Sequence, residues 1–284
     1  MSTAREKVAT PSNYRSWPGG EDLPDELDVL PIHGELQHRD YGLVADGFGF
    51  EDSPDCERIS GGINSKGPDS VALGRQANWF LWGFCAPPDE MTGEARKLFV
   101  NVCCYMARFD GQRPLVTKVS RGRDWAWLYA GYLGREARLT EFVHKKFPAA
   151  LLEGVGDDPA KLKRRLAEVR PWLRLEGDGG MFSVDEDARA LGPANDDVAL
   201  LDRCVALLEA VARARDGAGA APSAEDLARA RRVLARYTAQ ELDSAAEWRR
   251  WLEDNRERMF FSDVGGYRWF VAPKDLPRRA LSRG

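Results

Sequence analysis

Apolar and polar positions are most clearly ordered between Ser70 and Asp110, where a strand-like pattern gives way to a helix-like one with turn and cap residues between them. Ser70-Val-Ala-Leu-Gly-Arg75 and Asn78-Trp-Phe-Leu-Trp-Gly-Phe84 are rich in β-branched, aliphatic and aromatic residues and flank the polar Arg75-Gln-Ala-Asn78, the pattern of a β-hairpin. The second run is apolar on both faces from Trp79 to Leu81, so it is expected inside a sheet. After the breaker Ala86-Pro-Pro-Asp89, Thr92 is placed to cap a helix whose stripe is Ala95, Leu98, Phe99, Val102, Tyr105, Met106 and Phe109, with Gly111 as its C-terminal cap. A strand followed by a helix that lays one apolar face back on it is a unit of a layered α/β fold.

The pattern before this stretch is weaker. Residues 1–40 are dense in turn formers and read as an extended arm, in which Leu27-Asp-Val-Leu-Pro-Ile32 forms a short edge strand. Beyond Lys118 the period becomes helical and stays so. Helices are expected around Asp124–Leu133, Thr140–Phe147 and Pro159–Val169, and a small hairpin from Pro171–Leu175 and Met181–Val184. Asp185-Glu-Asp187 opens a short helix that Gly192-Pro193 stops, and a long helix from Asn195 carries Leu201, Cys204, Val205, Leu208 and Val211 on one stripe. Ser223 starts another helix, and Ser244-Ala-Ala-Glu247 is a capping box before Trp248; these two helices are expected to pair antiparallel. Met259-Phe-Phe261 and Tyr267-Arg-Trp-Phe-Val271 then make a terminal hairpin. The expected fold is an α/β N-terminal part and a mostly α-helical C-terminal domain that ends in a small β-hairpin. Its segments are an arm over 1–40, an α/β part over 41–118, a helical domain over 119–274 and a tail over 275–284.

The segment Pro68-Asp-Ser-Val-Ala-Leu-Gly-Arg75, the strand ending in Trp82-Gly-Phe84 and the lead Pro88-Asp-Glu-Met-Thr-Gly-Glu94 resemble the closing strands and last helix of the class I glutamine amidotransferase-like, or ThuA-like, fold. That family places a nucleophilic cysteine on a strand-to-helix elbow and a His-x-Glu pair near the closing strands. Neither pattern occurs in these segments, so the resemblance implies a partial amidotransferase-like sheet and no activity. The last helices resemble the end of a HEAT-like array, with no fixed-period repeat behind them.

Composition narrows the class. The 284 residues suit two domains, and 43% hydrophobic content with nine Trp argues for packed cores. Residues 1–118 hold 12 Lys and Arg against 18 Asp and Glu, and residues 119–284 hold 29 against 27, so neither half has the basic excess of a nucleic-acid binder. No run approaches the length of a membrane span, and the first residues lack the apolar core of a signal peptide, so a cytoplasmic chain is expected. Five cysteines without a Cys-x-x-Cys spacing suit reduced thiols rather than zinc or a disulfide framework.

Candidate chemistry is confined to loops. Tyr41 to Gly67 is rich in glycine and carries Asp46, Asp52, Asp55, Asn64, Ser65 and Lys66, where backbone N–H groups and an ammonium could surround an anion. The phosphate-loop order Gly-x4-Gly-Lys-[Ser/Thr] is absent, and the better reading is a structural loop that is still the place to look for a site. His33, Glu35, His38 and Asp40 have no clean metal-ligand spacing, His144 reads as a surface residue and Lys161-Leu-Lys-Arg-Arg165 as a solvated helix face. The sequence therefore assigns no catalytic residue, metal or cofactor and favours a non-catalytic binding or interaction protein with an unidentified protein or small-molecule partner. A hydrolase or transferase using the loop carboxylates is the alternative. A carbohydrate-binding module is a third reading, which requires several of Trp17, Trp125, Trp127 and Trp269 to be exposed.

Overall fold

Short strands dominate the first part of the chain and helices the second. The computed structural model describes residues 5–17, 20–34, 43–85, 87–177, 180–274 and 276. The chain divides into two units, Met1–Leu115 and Val116–Gly284. The sequence reading puts this division after Lys118.

In the first unit, β1 (Glu6–Ala9) pairs antiparallel with β2 (Glu26–Val29). The strand expected at Leu27 is therefore present, but its partner is missing from the sequence reading, which treats this region as an unpaired arm. Arg15, in the 3-10 turn after β1, spans the connection between the two strands. Its guanidinium donates to the carbonyls of Gly20 and Glu21 at 3.2 and 3.1 Å and to the Asp25 carboxylate at 3.1 Å, gathering the connection between the strands.

A second antiparallel sheet runs β3 (Cys56–Ser60), β4 (Leu73–Gln76), β5 (Trp79–Trp82) in that spatial order. The β4–β5 hairpin is closed by Ala77 and Asn78, with Gln76 opposite Trp79 and Ala77 held at a φ of 46°. The sequence reading is corrected at one point: β4, not β5, is the central strand. Trp79 on the edge strand β5 is 71% exposed, whereas Leu73, Gly74 and Arg75 of β4 are buried. Arg75 can lie there because its cross-strand neighbour Glu57 accepts from it at 3.3 Å and the Phe109 ring lies 3.8 Å from its guanidinium carbon.

Helix α1 (Gly93–Met106) starts where Thr92 caps it. The hydroxyl accepts from the Ala95 N–H at 3.1 Å and donates to the Pro31 carbonyl at 2.8 Å, which ties the helix start to the segment after β2. Trp82 meets Phe99 edge-on at 5.1 Å, and Ile32, Met91 and Ala95 form the small core beneath. The helix ends at Met106 in a 3-10 turn over Ala107–Phe109, so Gly111, at a φ of +74°, lies beyond the cap rather than forming it.

The second unit has two cores. The first joins α2 (Trp125–Ala130), α3 (Ala137–Lys146), α4 (Ala149–Leu152) and α5 (Pro159–Val169) to the hairpin of β6 (Leu173–Glu176) and β7 (Met181–Val184), around Leu133, Val143, Phe147, Leu162, Leu166 and Phe182. The second joins α6 (Glu186–Leu191), α7 (Val198–Arg215), α8 (Ala224–Thr238) and α9 (Ala245–Asn255) to the hairpin of β8 (Met259–Ser262) and β9 (Arg268–Val271). The expected antiparallel α8–α9 pair is replaced by a shared neighbour: both helices pack chiefly on α7. That helix buries Leu200, Leu201, Cys204, Val205 and Leu207, an arc wide enough for two partners.

A buried polar chain connects these elements. Arg123, 2% exposed, grips Asp263 through two bonds of 2.9 and 2.7 Å and donates to Asn195 at 3.1 Å and to the Arg170 carbonyl at 3.2 Å. Asn195 reaches the Tyr237 hydroxyl at 3.4 Å, and that hydroxyl donates to Asp185 at 2.7 Å. Asp185 also caps α6 through the Ala188 N–H, so one carboxylate serves a helix end and the core. Burial alone would make Arg123 easier to deprotonate, but its bonds to Asp263 outweigh that and raise its pKa, keeping the cation.

Candidate functional site

The loop between β3 and β4 is held from inside. The Tyr14 hydroxyl accepts from the Asn64 N–H at 2.9 Å and donates to the Gly62 carbonyl at 3.1 Å, while the Asn64 side chain donates to Ser70 and accepts from the Lys66 N–H at 2.6 Å. The indole of Trp17 lies so close to Gly67 that a Cβ there would come within 2.7 Å of it. Such bonds shape a loop. They also occupy groups that the sequence offers as ligands.

The six predicted site residues are not gathered into one site. Asp46 and Lys66 share a recess of about 60 Å³ with Trp17, Phe48 and Asp69. The Lys66 ammonium donates to the Val44 carbonyl at 2.7 Å, and Ser65 is exposed nearby. Asp52 is half-buried in the turn before β3 and does not line the recess. Asp55 is 3% exposed: Ser53 donates to one carboxylate oxygen, the Leu115 N–H to the other at 2.9 Å, and the Asp55 carbonyl accepts from Ala77 at 3.1 Å. Its placement in an accessible ligand loop is therefore corrected. Asp55 fastens the β4–β5 turn and the end of the unit to β3.

The other candidates also separate. His33 pairs with Met91 as an isolated bridge, whereas Glu35, His38 and Asp40 lie outside the described residues. Among the described residues no three His, Cys, Asp or Glu are grouped to hold a metal ion, and no helix is long and apolar enough to cross a membrane. His144, Lys161, Lys163 and Arg164 are exposed, while Arg165 is half-buried and donates to the Leu151 carbonyl at 3.2 Å. Trp269 is buried and Trp17, Trp125 and Trp127 are half-buried, so none of the four tryptophans named for a sugar site is fully exposed. Cys204 sits in the second core, where burial pushes its thiol up to about 12, so it stays protonated at neutral pH.

A larger concavity lies in the second unit. A cleft of about 520 Å³ is lined by Lys118, Val119, Ser120, Arg121, Tyr129, Phe142, Lys146, Leu175, Gly177 and Gly180. Three cations face it, and no carboxylate is among its described lining; Asp178 and Gly179 are outside the described residues. Its first wall is pinned to the terminal hairpin. The N–H groups of Val119 and Ser120 donate to the Val264 carbonyl at 2.8 and 2.9 Å, and the Tyr267 hydroxyl donates to the Arg121 carbonyl at 2.9 Å. Burial first, then the charge of Asp263, raises the pKa of that tyrosine, so it remains a donor.

Aromatic rings set the side chains of the cleft. Arg121 lies 4.5 Å from the Trp125 ring centre and donates to the Tyr129 hydroxyl, which holds its guanidinium in one plane. Tyr129 meets Phe142 edge-on at 5.0 Å, and the Lys146 ammonium is 5.5 Å from the Phe142 ring centre. Gly180 holds a φ of +60°, and a Cβ there would lie 3.6 Å from that ammonium, an ordinary contact distance. The sequence reading misses this site because its parts come from a connector, two helices and a hairpin loop, each with an ordinary local explanation. The glycines of Gly177-Asp-Gly-Gly180 are the one local signal, and they read equally well as a turn.

A scan against protein-family models finds no match, and searches of curated proteins and of solved structures return none.

Proposed function

We propose that this chain is a non-catalytic binding protein whose second unit holds an anionic ligand in the cleft between Lys118 and Gly180. The observation that carries the reading is a cleft of about 520 Å³, within the size range of small-molecule sites, whose lining brings Lys118, Arg121 and Lys146 to one concave surface beside Tyr129 and Phe142. The first unit, in this reading, is a degenerate amidotransferase-like part. Its support is the sequence resemblance carried by Pro68–Arg75, Trp82-Gly-Phe84 and Pro88–Glu94, which lie at the β4–β5 hairpin and the start of α1.

The alternative of a hydrolase or transferase in the loops has one supporting observation, the recess shared by Asp46 and Lys66. At about 60 Å³ it is well below the roughly 300–1,000 Å³ of small-molecule sites.

The test is thermal unfolding of the whole chain in rising pyrophosphate at constant ionic strength. A ligand that binds only the folded state raises its melting temperature with concentration. The second-unit transition is expected to rise with pyrophosphate, and the Lys118→Ala/Lys146→Ala variant is expected to lose that response. An unchanged melting temperature, or an equal response in the variant, removes the anion reading. Rapid labelling of Cys56 by a thiol electrophile, with amide or ester turnover abolished by Cys56→Ser, removes the non-catalytic one.

A further inference from the structure

The apolar stripe of α7 is buried only over its first half. Leu201, Cys204 and Val205 lie in the core, whereas Leu208 and Val211 are half-buried and open into a groove of about 500 Å³. This groove takes the place of the α8–α9 contact that the sequence leads one to expect. Helices α7 and α8, joined by the short connection 216–223 and packed on each other, run antiparallel and line it with one stripe each. On α7 the stripe is Leu208, Val211, Ala212 and Arg215, and on α8 it is Leu227, Arg231, Leu234 and Ala235. Both repeat at three and four residues and run about two turns, roughly 10–12 Å. One end is closed by the segment that leads into α9. There the Trp248 indole donates to the Leu242 carbonyl at 3.1 Å and Ser244 caps α9, so this wall is set before anything docks.

Charge is divided along the groove. Arg215 ends α7 and Arg231 lies one turn in from Leu227, while Glu241 and Asp243 stand on the closing segment, and the two cations form no ion pair with the two carboxylates. An occupant that is acidic at one end and basic at the other therefore meets opposite charge at both. We propose that the groove docks an amphipathic helix of a partner protein, its large apolar side chains at i, i+4 and i+7 over Leu208, Val211 and Leu234. Its carboxylates face Arg215 and Arg231, and its cations face Glu241 and Asp243. A helix shares the period of both stripes, so its ridge seats between them, and anchors at i, i+4 and i+7 span about 10.5 Å, close to the length of the groove. The surface shares no lining residue with the cleft of the anion reading and stands apart from it.

The test is selection of a phage-displayed library of helical peptides against the full chain, followed by fluorescence polarisation with the enriched sequences as synthetic peptides capped at both ends. Enriched peptides are expected to carry the apolar i, i+4, i+7 pattern between an acidic and a basic end. Two variants address the groove from exposed helical positions: Ala235→Arg fills it, and Arg215→Glu/Arg231→Glu reverses the charge of one end. Each is expected to weaken the peptides at least about tenfold, with an unchanged melting temperature to show that it is folded. A proline placed between the anchors breaks a helix and is expected to abolish binding. No enrichment, enriched peptides without the pattern, or binding that survives both variants overturns the proposal. A proline peptide that binds as tightly overturns the helix and leaves an extended occupant. Self-association of the chain in sedimentation velocity that Ala235→Arg dissolves assigns the groove to a second copy and overturns the partner.

Discussion

Asp55 and Arg123 are charges in nearly water-free surroundings, and each is tolerated because several segments converge on it. Asp55 has partners from Ser53, Ala77 and Leu115, and its removal would orphan a backbone N–H that its carboxylate now accepts from. Asp55→Ala is expected to destabilise the first unit by about 3 kcal/mol, the scale of a lost buried network, while Asp46→Ala stays within about 0.5 kcal/mol. Arg123 is the stronger case. Truncating one member of a buried ion pair leaves the other uncompensated, so Arg123→Met is expected to cost about 3–5 kcal/mol. Arg123→Lys should not restore the loss, because one ammonium cannot reach Asp263, Asn195 and the Arg170 carbonyl together. Chemical denaturation of the four variants checks the series. None of these roles is visible at the residues themselves: Asp55 looks like one loop carboxylate among several, and Arg123 like a surface cation before a helix.

At the scale of elements, starts were more legible than partners. Thr92, Asp185, Ser223 and Ser244 all cap the helices expected after them, because a cap depends on residues two or three positions away. The capping box at Ser244 is complete, with Ser244 accepting from the Glu247 N–H at 3.2 Å and Glu247 accepting from the Ser244 N–H at 3.0 Å. Ser244→Ala is expected to lower stability by about 1 kcal/mol, and Asp185→Ala by clearly more, because Asp185 also accepts from Tyr237 inside the core. Melting curves of the two variants decide it; equal losses would reduce Asp185 to a cap. Partners were less legible. Strand β1 and the central place of β4 went unread, since a four-residue strand carries little period and strand order is set by what covers each edge.

For the whole molecule, acid is the condition that separates its electrostatics from its packing. Asp187, hydrogen-bonded by Arg232, and Glu209, hydrogen-bonded by Arg249, are both held below the usual carboxylate range. A carboxyl with a lowered folded pKa binds fewer protons folded than unfolded, so its contribution is present above the ordinary value near pH 4 and is lost as pH falls through the lowered one. Calorimetry from pH 7 to pH 3 is expected to show two transitions, one for each unit, with the second-unit transition falling below about pH 5. Arg249→Met removes the main cause of the shift at Glu209 and should flatten part of that fall. A pH-independent second transition would mean that these pairs contribute nothing measurable.

The sequence by itself determined the helices of the second unit other than α4, its two hairpins, the β4–β5 hairpin and the cap of α1, because period, caps and turns are local properties of the chain. Only the tertiary structure decided that α7 serves two helices, that Asp55 belongs to the fold and that three cations from residues 118, 121 and 146 face one cleft. Those outcomes depend on which distant segments exclude water together, and an apolar or charged residue carries no local mark of the partner it will meet.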